Sequence, residues 1–431
     1  MSILLKGGYV LTQDEKREIL EGDVLLEDDR IAEIGNIRTE ADHEIDCSGS
    51  VVMPGLVNSH NHVANTLLRG YADDVHLEVM LEKSFAVDDK ITTRDVQVAS
   101  LAGCIEMIRT GTTSFLDMFY WENEVARAVR QAGIRGFLGW VVLDREFTTQ
   151  KGHPLKNCET FIRDFKGEEL VKPLVAAHGV YTCSEETFLG AKDLAEREDV
   201  PLHFHLSETR KEVYDHVEKY GLRPPEWLEK IGFLCDRGIA AHCVWLTINE
   251  IRAIAARGVS AVHCPVSNMK LASGGFAPLP EMFDNGLNVC LGTDSPLSNN
   301  NLDMFEEMKY CSLMHKASRW DATVVPAQKA LDMATIEGAR ALGLDNELGS
   351  IEEGRKADVI VVNMKKAKSA PLFKSRIPSH LVYSCNGNDV SHTIIDGRIV
   401  MQDSRPTNVD EGDVLRSLQE AACDIFGEGD G

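Results

Sequence analysis

The sequence predicts an α/β protein: a (β/α)8 barrel with a second, small β-sandwich domain built from both chain ends. Short apolar runs alternate with helical stretches through the middle of the 431-residue chain. A strand-and-turn texture occurs at both ends. Histidines recur at the C-terminal ends of the apolar runs, the end where barrels of this kind keep their chemistry. A chain of this length accommodates one large barrel plus an accessory domain.

Residues 1 to about 54 read as short strands: Tyr9-Val10-Leu11, Asp23–Glu27 and Arg30–Ile34, separated by Gly22, Asp28-Asp29 and Gly35. The same texture returns in Ala357–Val362 and in Thr393–Val400, a hairpin around Asp396-Gly397. The expected division is therefore 1–54 and 350–431 for the sandwich, the latter including a C-terminal helix and tail, with 55–349 as the barrel. The middle offers eight strands: Gly55–His62, Thr112–Met118, Gly136–Val142, Pro173–His178, Pro201–His205, Ile239–His242, Ser260–His263 and Leu287–Asp294. Helices are expected over Arg94–Arg109, Glu122–Gln131, Glu185–Glu198 and Ile248–Arg257, the last opened by a Thr247-Ile248-Asn249-Glu250 capping box. Apolar strands each followed by a helix indicate a parallel sheet covered by helices, and eight repeats indicate closure. Pro224-Pro225 breaks the segment after the fifth strand, so that connection is longer than one helix. The tail from Gly427 to Gly431 reads as frayed.

The formal charge is −23, from 45 basic and 68 acidic residues. Such a surface repels nucleic acid and anionic membrane, so neither is expected as a partner. The 11 cysteines form no Cys-x-x-Cys pair, and several sit in apolar strands, as expected of reduced thiols in a cytoplasmic protein. Met1–Lys6 has no signal-peptide pattern, and no apolar run is long enough to span a bilayer.

Ser59-His60-Asn61-His62 follows the apolar run Val51–Val57. Residues two apart on a strand face the same way, so His60 and His62 form half of a metal site. The other strand ends carry His178, His205, His242, His263 and Asp294. Six of the 14 histidines thus lie at one end of five strands. Core packing does not explain this, because buried imidazoles need partners.

This pattern resembles the amidohydrolase superfamily, in particular the branch of 5-methylthioadenosine/S-adenosylhomocysteine and 5′-deoxyadenosine deaminases with the related triazine and guanine hydrolases. The resemblance rests on Pro54–His62, Leu67-Leu68-Arg69-Gly70, His205-Leu206-Ser207-Glu208-Thr209, Ala241-His242-Cys243, Pro265–Leu271, Gly292-Thr293-Asp294 and Ser298-Asn299-Asn300, and spans nearly the whole chain. It implies that His60, His62, His205 and Asp294 bind one divalent metal per chain, zinc first and iron(II) second. Three imidazoles and a carboxylate with a position left for water make a catalytic site. Strand four ends in His178, where binuclear relatives place a carboxylated lysine, and Lys172 lies near that strand's start.

The resemblance also implies roles: Asp294 as base, Glu208 as proton shuttle to a ring nitrogen, His242 orienting the water or steadying charge on it, and His178 contacting substrate. Glu208 also suits a plain helix start, where negative charge is favourable. His263 reads as structural. Ser298 is a candidate substrate contact. Asp88 stands nearest the place where relatives keep a ribose-binding glutamate. Trp140 falls near the place of an arginine that binds the carboxylate of S-adenosylhomocysteine, and indole cannot pair with carboxylate. Trp140 also reads as plain core, and Arg145 could compensate.

The expected function is hydrolytic deamination of 6-aminopurine nucleosides: 5′-deoxyadenosine, 5′-methylthioadenosine and adenosine, with S-adenosylhomocysteine as a further candidate. The alternative is the same chemistry on a guanine, pterin, cytosine or s-triazine ring. A scaffold that has lost catalysis conflicts with the complete ligand set. A nucleotide-binding module lacks Gly-x-Gly-x-x-Gly and any phosphate-binding Gly-rich loop with lysine. Barrels of this kind often self-associate, so a homo-oligomer is expected.

Overall fold

Strands form where the apolar runs lie because each is buried on both faces, against the bore and against a helix layer. In the computed structural model, which describes residues 1–148 and 153–427, the barrel strands are β1 (Leu56–Asn61), β2 (Thr112–Phe119), β3 (Arg135–Val142), β4 (Val171–Ala177), β5 (Leu202–Leu206), β6 (Gly238–His242), β7 (Ser260–His263) and β8 (Val289–Leu291). They pair in parallel and in sequence order as one eight-stranded sheet. Closure comes from a bridge between Asn61 and Asp294, and from Asn58, whose side chain accepts from Thr293 N at 3.0 Å and donates to Thr293 Oγ1 at 2.7 Å. Gly292 permits this approach: a Cβ there would lie 2.7 Å from the His60 nitrogen.

The expected helices are present as Thr93–Arg109, Glu122–Ala132, Glu185–Glu198 and Ile248–Ala256, the last with the Thr247–Glu250 capping box formed. After β5, Arg210–Tyr220 ends at left-handed Gly221, and Pro224-Pro225 opens a second helix to Lys230, where a missing N–H costs nothing. The connection after β1 adds a helix, Leu77–Asp88, that leans over the barrel mouth. The expectation of a frayed tail falls largely on residues 428–431, outside the described residues. No helix among the described residues is long and apolar enough to cross a membrane.

The two chain ends meet in one mixed nine-stranded sheet. Its junction is Ser50–Pro54 against Val359–Asn363, antiparallel. Alternate residues such as Leu5, Val10, Val24, Val52, Val359 and Ile394 enclose a separate apolar core. The hairpin turn at Asp396-Gly397 has φ of 52° and 72°, the pattern of a type I′ turn.

A buried ion-pair network latches this sheet to the barrel. Arg135, the first residue of β3 and 3% exposed, lies 3.0 Å from Asp358 and 3.3 Å from Asp396. Lys356 adds contacts of 2.7 Å to both Asp396 and Asp29. Removing the guanidinium strands the buried Asp358 carboxylate and leaves Asp396 to Lys356 alone, so Arg135→Met should lose about 3–5 kcal/mol in equilibrium denaturation. A loss of only about 1 kcal/mol, the scale of a surface pair, would contradict the latch.

Candidate metal centre and active site

The strand ends deliver side chains to the C-terminal mouth of the barrel. Asp294 Oδ1 lies 3.2 Å from His60 Nε2 and 3.4 Å from His62 Nε2. The His205 ring stands 5.0 Å from that of His60 and 5.4 Å from that of His62, centroid to centroid. His242 joins the same cluster, its ring 5.3 Å from that of His60.

The hydrogen bond behind each ring decides which nitrogen carries its proton. His62 Nδ1–H donates to the Met118 carbonyl at 2.6 Å, and His205 Nδ1–H donates to the His178 carbonyl at 2.7 Å. Both rings therefore turn a bare Nε2 to the centre. His60 reaches the same state through a relay. His203 Nδ1–H donates to the Ile239 carbonyl at 2.8 Å, leaving His203 Nε2 to accept from His60 Nδ1–H, also at 2.8 Å. His60 Nε2 is buried and makes no hydrogen bond. With the ring protons on Nδ1, bare nitrogens face a carboxylate oxygen at just over 3 Å, an arrangement that a cation relieves. The residues present fit a divalent metal on this ground.

His242 differs. The Asn268 amide donates to its Nδ1 at 3.1 Å, so its proton sits on Nε2. Burial keeps the ring neutral, its pKa lowered to about 3. That tautomer suits a hydrogen-bond donor, and a ligand atom of His242 also lies within 4.8 Å of those of His60 and His205. The His242 Nε2 lies 3.7 Å from Glu208 Oε2. Glu208 is 3% exposed, and burial, with Asp294 and Glu212 nearby, holds its carboxyl well above the ordinary range. That shift favours its protonated form. Glu212 fixes the turn that carries it, accepting from Ser207 N at 2.9 Å and Glu208 N at 2.7 Å.

Asp294 is set from behind: its Oδ2 accepts from Ser267 Oγ at 2.5 Å and Ser298 Oγ at 2.8 Å. Ser298 borders the cleft, and its hydroxyl positions Asp294. His178 donates from Nδ1 to Thr182 Oγ1 at 2.8 Å, which leaves a bare Nε2 toward the cleft.

The cleft encloses about 880 Å³, its mouth included, and the apolar wall is Leu77, Met80, Leu81 and Phe85 of the overlying helix with Val141 of β3 and Leu143 just beyond it. Asp88 lies in it and accepts from the Tyr120 hydroxyl. Trp140 does not: side chains alternate along β3, Val141 faces the cleft, and Trp140 turns outward toward Phe161, 6.3 Å away between ring centroids. The expectation of Trp140 as a substrate contact is corrected by that alternation, in favour of the core reading. Arg145 borders a neighbouring recess with Asp144 and Glu146. Among the described residues no Lys or Arg lines the cleft. Lys172 lies at the start of β4, its ammonium on the Glu168 carbonyl at 2.8 Å. Sequence reasoning missed His203, Asn268, Glu212, Ser267 and Tyr120. His203 left a trace as the first half of a second His-x-His pair with His205, and Ser267 and Asn268 lie inside the Pro265–Leu271 motif.

Fold and site together define a metal-dependent hydrolase of the (β/α)8 class. The amidohydrolase family pattern matches residues 51–400, and the chain belongs to that family. It is 45% identical over 429 residues to a 5′-deoxyadenosine deaminase of Methanosarcina mazei, with 98% of each chain covered. It is 43% identical over 434 residues to a 5-methylthioadenosine/S-adenosylhomocysteine deaminase of Syntrophobacter fumaroxidans, again with 98% of each covered. An adenosine deaminase structure from Xanthomonas campestris with bound zinc superposes at a TM-score of 0.94, with 32% identity over 98% of both chains. A zinc-complexed atrazine chlorohydrolase from Arthrobacter aurescens, 23% identical with a TM-score of 0.89 over 97% of this chain and 100% of the other, shares the fold.

The His203 relay has a measurable consequence. His203→Phe should weaken metal affinity by about 10–100-fold in competition with a chromophoric chelator. Unchanged affinity would show that the relay does not set the His60 tautomer.

Proposed function

We propose that this chain hydrolytically deaminates 6-aminopurine nucleosides, releasing ammonia and leaving the inosine-type product. The observation that carries the reading is the buried Glu208 carboxyl, its pKa raised, 3.7 Å from His242 and on the same cleft as the cage. The names of the similar proteins support the ring: several deaminate adenosine-type nucleosides. The triazine hydrolases, at 23–24% identity, share the barrel and give no reason to change the ring.

His60, His62, His205 and Asp294 would hold the cation. It supplies the Lewis acidity that turns water into a nucleophile near neutral pH. As water adds at C6, Glu208 gives its proton to the adjacent ring nitrogen, and Asp294 takes a proton from the water. The amino group leaves as ammonia with the proton from Asp294, and the remaining hydroxyl returns a proton to Glu208 as the carbonyl forms. His242 steadies the oxygen through its Nε2–H. We take the cation in this cage as single, and as zinc; the zinc bound in the Xanthomonas structure supports the element. The 11 cysteines, none bridged, fit a reducing cytoplasm.

Asp88, steadied by Tyr120, would take the ribose diol, and His178 Nε2 would accept a hydrogen bond from the substrate. The wall of Leu77, Met80, Leu81 and Phe85 suits an uncharged 5′ group. 5′-Deoxyadenosine and 5′-methylthioadenosine should therefore exceed S-adenosylhomocysteine in kcat/KM by about tenfold or more, ~1.4 kcal/mol. A preference for the charged substrate would overturn this.

Glu208→Gln should retain its metal and lose about 10²–10⁴-fold in kcat. A fully active variant would remove the shuttle. Glu208 acts in its protonated form and its pKa is raised. Wild-type turnover should therefore hold below that pKa and fall as pH rises through it, an alkaline limb that a pH–rate profile reads directly.

A further inference from the structure

A second cluster of metal-binding side chains lies outside the barrel bore. His263, at the end of β7, faces the helix Met304–Arg319, which covers that side of the barrel. There Cys311 and His315, four residues apart, share one helix face. His263 Nε2 and His315 Nε2 are 3.2 Å apart. One nitrogen of each ring and the Cys311 sulfur lie within 4.8 Å of one another. Cys311 and His315 are 0% exposed, and His263 is 2% exposed.

A hydrogen bond between the rings accounts for one nitrogen on each. It satisfies those two nitrogens alone, and the buried Nδ1 atoms have no partner with or without a cation between the Nε2 atoms. It also leaves the thiol idle: Cys158, Cys183, Cys243 and Cys290 each donate to a carbonyl, and Cys311 has no such partner among the described residues. Burial keeps both imidazoles neutral, so they have lone pairs to give. The spacing is also that of ligands. Two imidazoles on a tetrahedral cation with bonds of about 2.0–2.1 Å stand about 3.3 Å apart. In the catalytic cage His60 Nε2 and Asp294 Oδ1 stand 3.2 Å apart.

We propose that His263, Cys311 and His315 form a second metal site, for a thiolate-seeking transition-metal cation, zinc(II) or copper(I). It pins β7 to its covering helix. Two neutral imidazoles and a thiolate with no carboxylate suit soft or borderline cations and disfavour magnesium or calcium. Binding releases the Cys311 thiol proton to solvent, and no redox change is required. With every donor buried, the site is structural, unlike the cage that opens on the cleft. The proposal does not depend on which reaction the cage performs.

Sulfur makes the two sites separable. His60, His62, His205 and Asp294 include no thiolate, so a thiolate-to-cobalt charge-transfer band in the full-length protein loaded with Co²⁺ reports on the second site alone. The band should appear in wild type and in Asp294→Asn, disappear in Cys311→Ser and shift or weaken in His315→Gln. Metal analysis of the protein as purified should find one equivalent more in wild type than in Cys311→Ser, and should name it as zinc or copper. A wild-type cobalt spectrum with no such band, or a band unchanged in Cys311→Ser, would overturn the site and leave a hydrogen-bonded histidine pair. The wild-type spectrum decides even if Cys311→Ser fails to fold.

Discussion

Everything at the mouth of this barrel depends on unshared electron pairs brought together in a dry place. His60, His62 and His205 each present a bare Nε2, and Asp294 presents a carboxylate oxygen to the same point. Without positive charge between them these groups repel, and burial denies them water as a partner. The barrel tolerates the arrangement because neighbouring strands hold the rings from behind. Asn58, the Asn61–Asp294 bridge and Gly292 bring β1 and the chain after β8 close enough for the carboxylate to reach the pair on β1.

Partners behind the rings also divide the labour. A carbonyl behind a ring draws the proton to Nδ1 and frees Nε2 to bind metal. An amide N–H behind a ring does the reverse. His205 and His242 are neighbours in the cluster, their rings 5.2 Å apart, and this one difference leaves a bare Nε2 on the first and an Nε2–H on the second. Glu208 completes the set because its surroundings penalise its charged form, whereas Asp294 lies against hydroxyls that favour it. The pKa values of two carboxyls in one cleft are thereby pushed in opposite directions, as acid–base chemistry at one pH requires.

The barrel was legible because its signals are local. A buried parallel strand reads as an apolar run, and Thr247 and Glu250 announce their helix in four residues. His60 and His62 were legible as a same-face pair, and Asp294 and Glu208 through the motifs around them. The supporting residues were not. His203 matters because its Nε2 meets His60 from another strand, and Asn268 because a helix after β7 brings it to His242. Such pairings depend on barrel geometry rather than on spacing along the chain. Trp140 shows the cost of a one-residue displacement on a strand: it reads as pocket by position and faces the helix layer by alternation. The latch of Arg135 on Asp358 and Asp396 was equally hidden, since its partners lie more than 200 residues away in sequence.

The central claim is that one cation sits among three imidazoles and a carboxylate, with His242 outside its coordination shell. An anomalous difference map collected at the zinc edge from crystals of the metal-replete protein tests it most directly. The account predicts a single peak at this end of the bore, within bonding distance of His60, His62 and His205 Nε2 and of Asp294. A peak bonded to His242 in place of any of these, or no peak there at all, would contradict it.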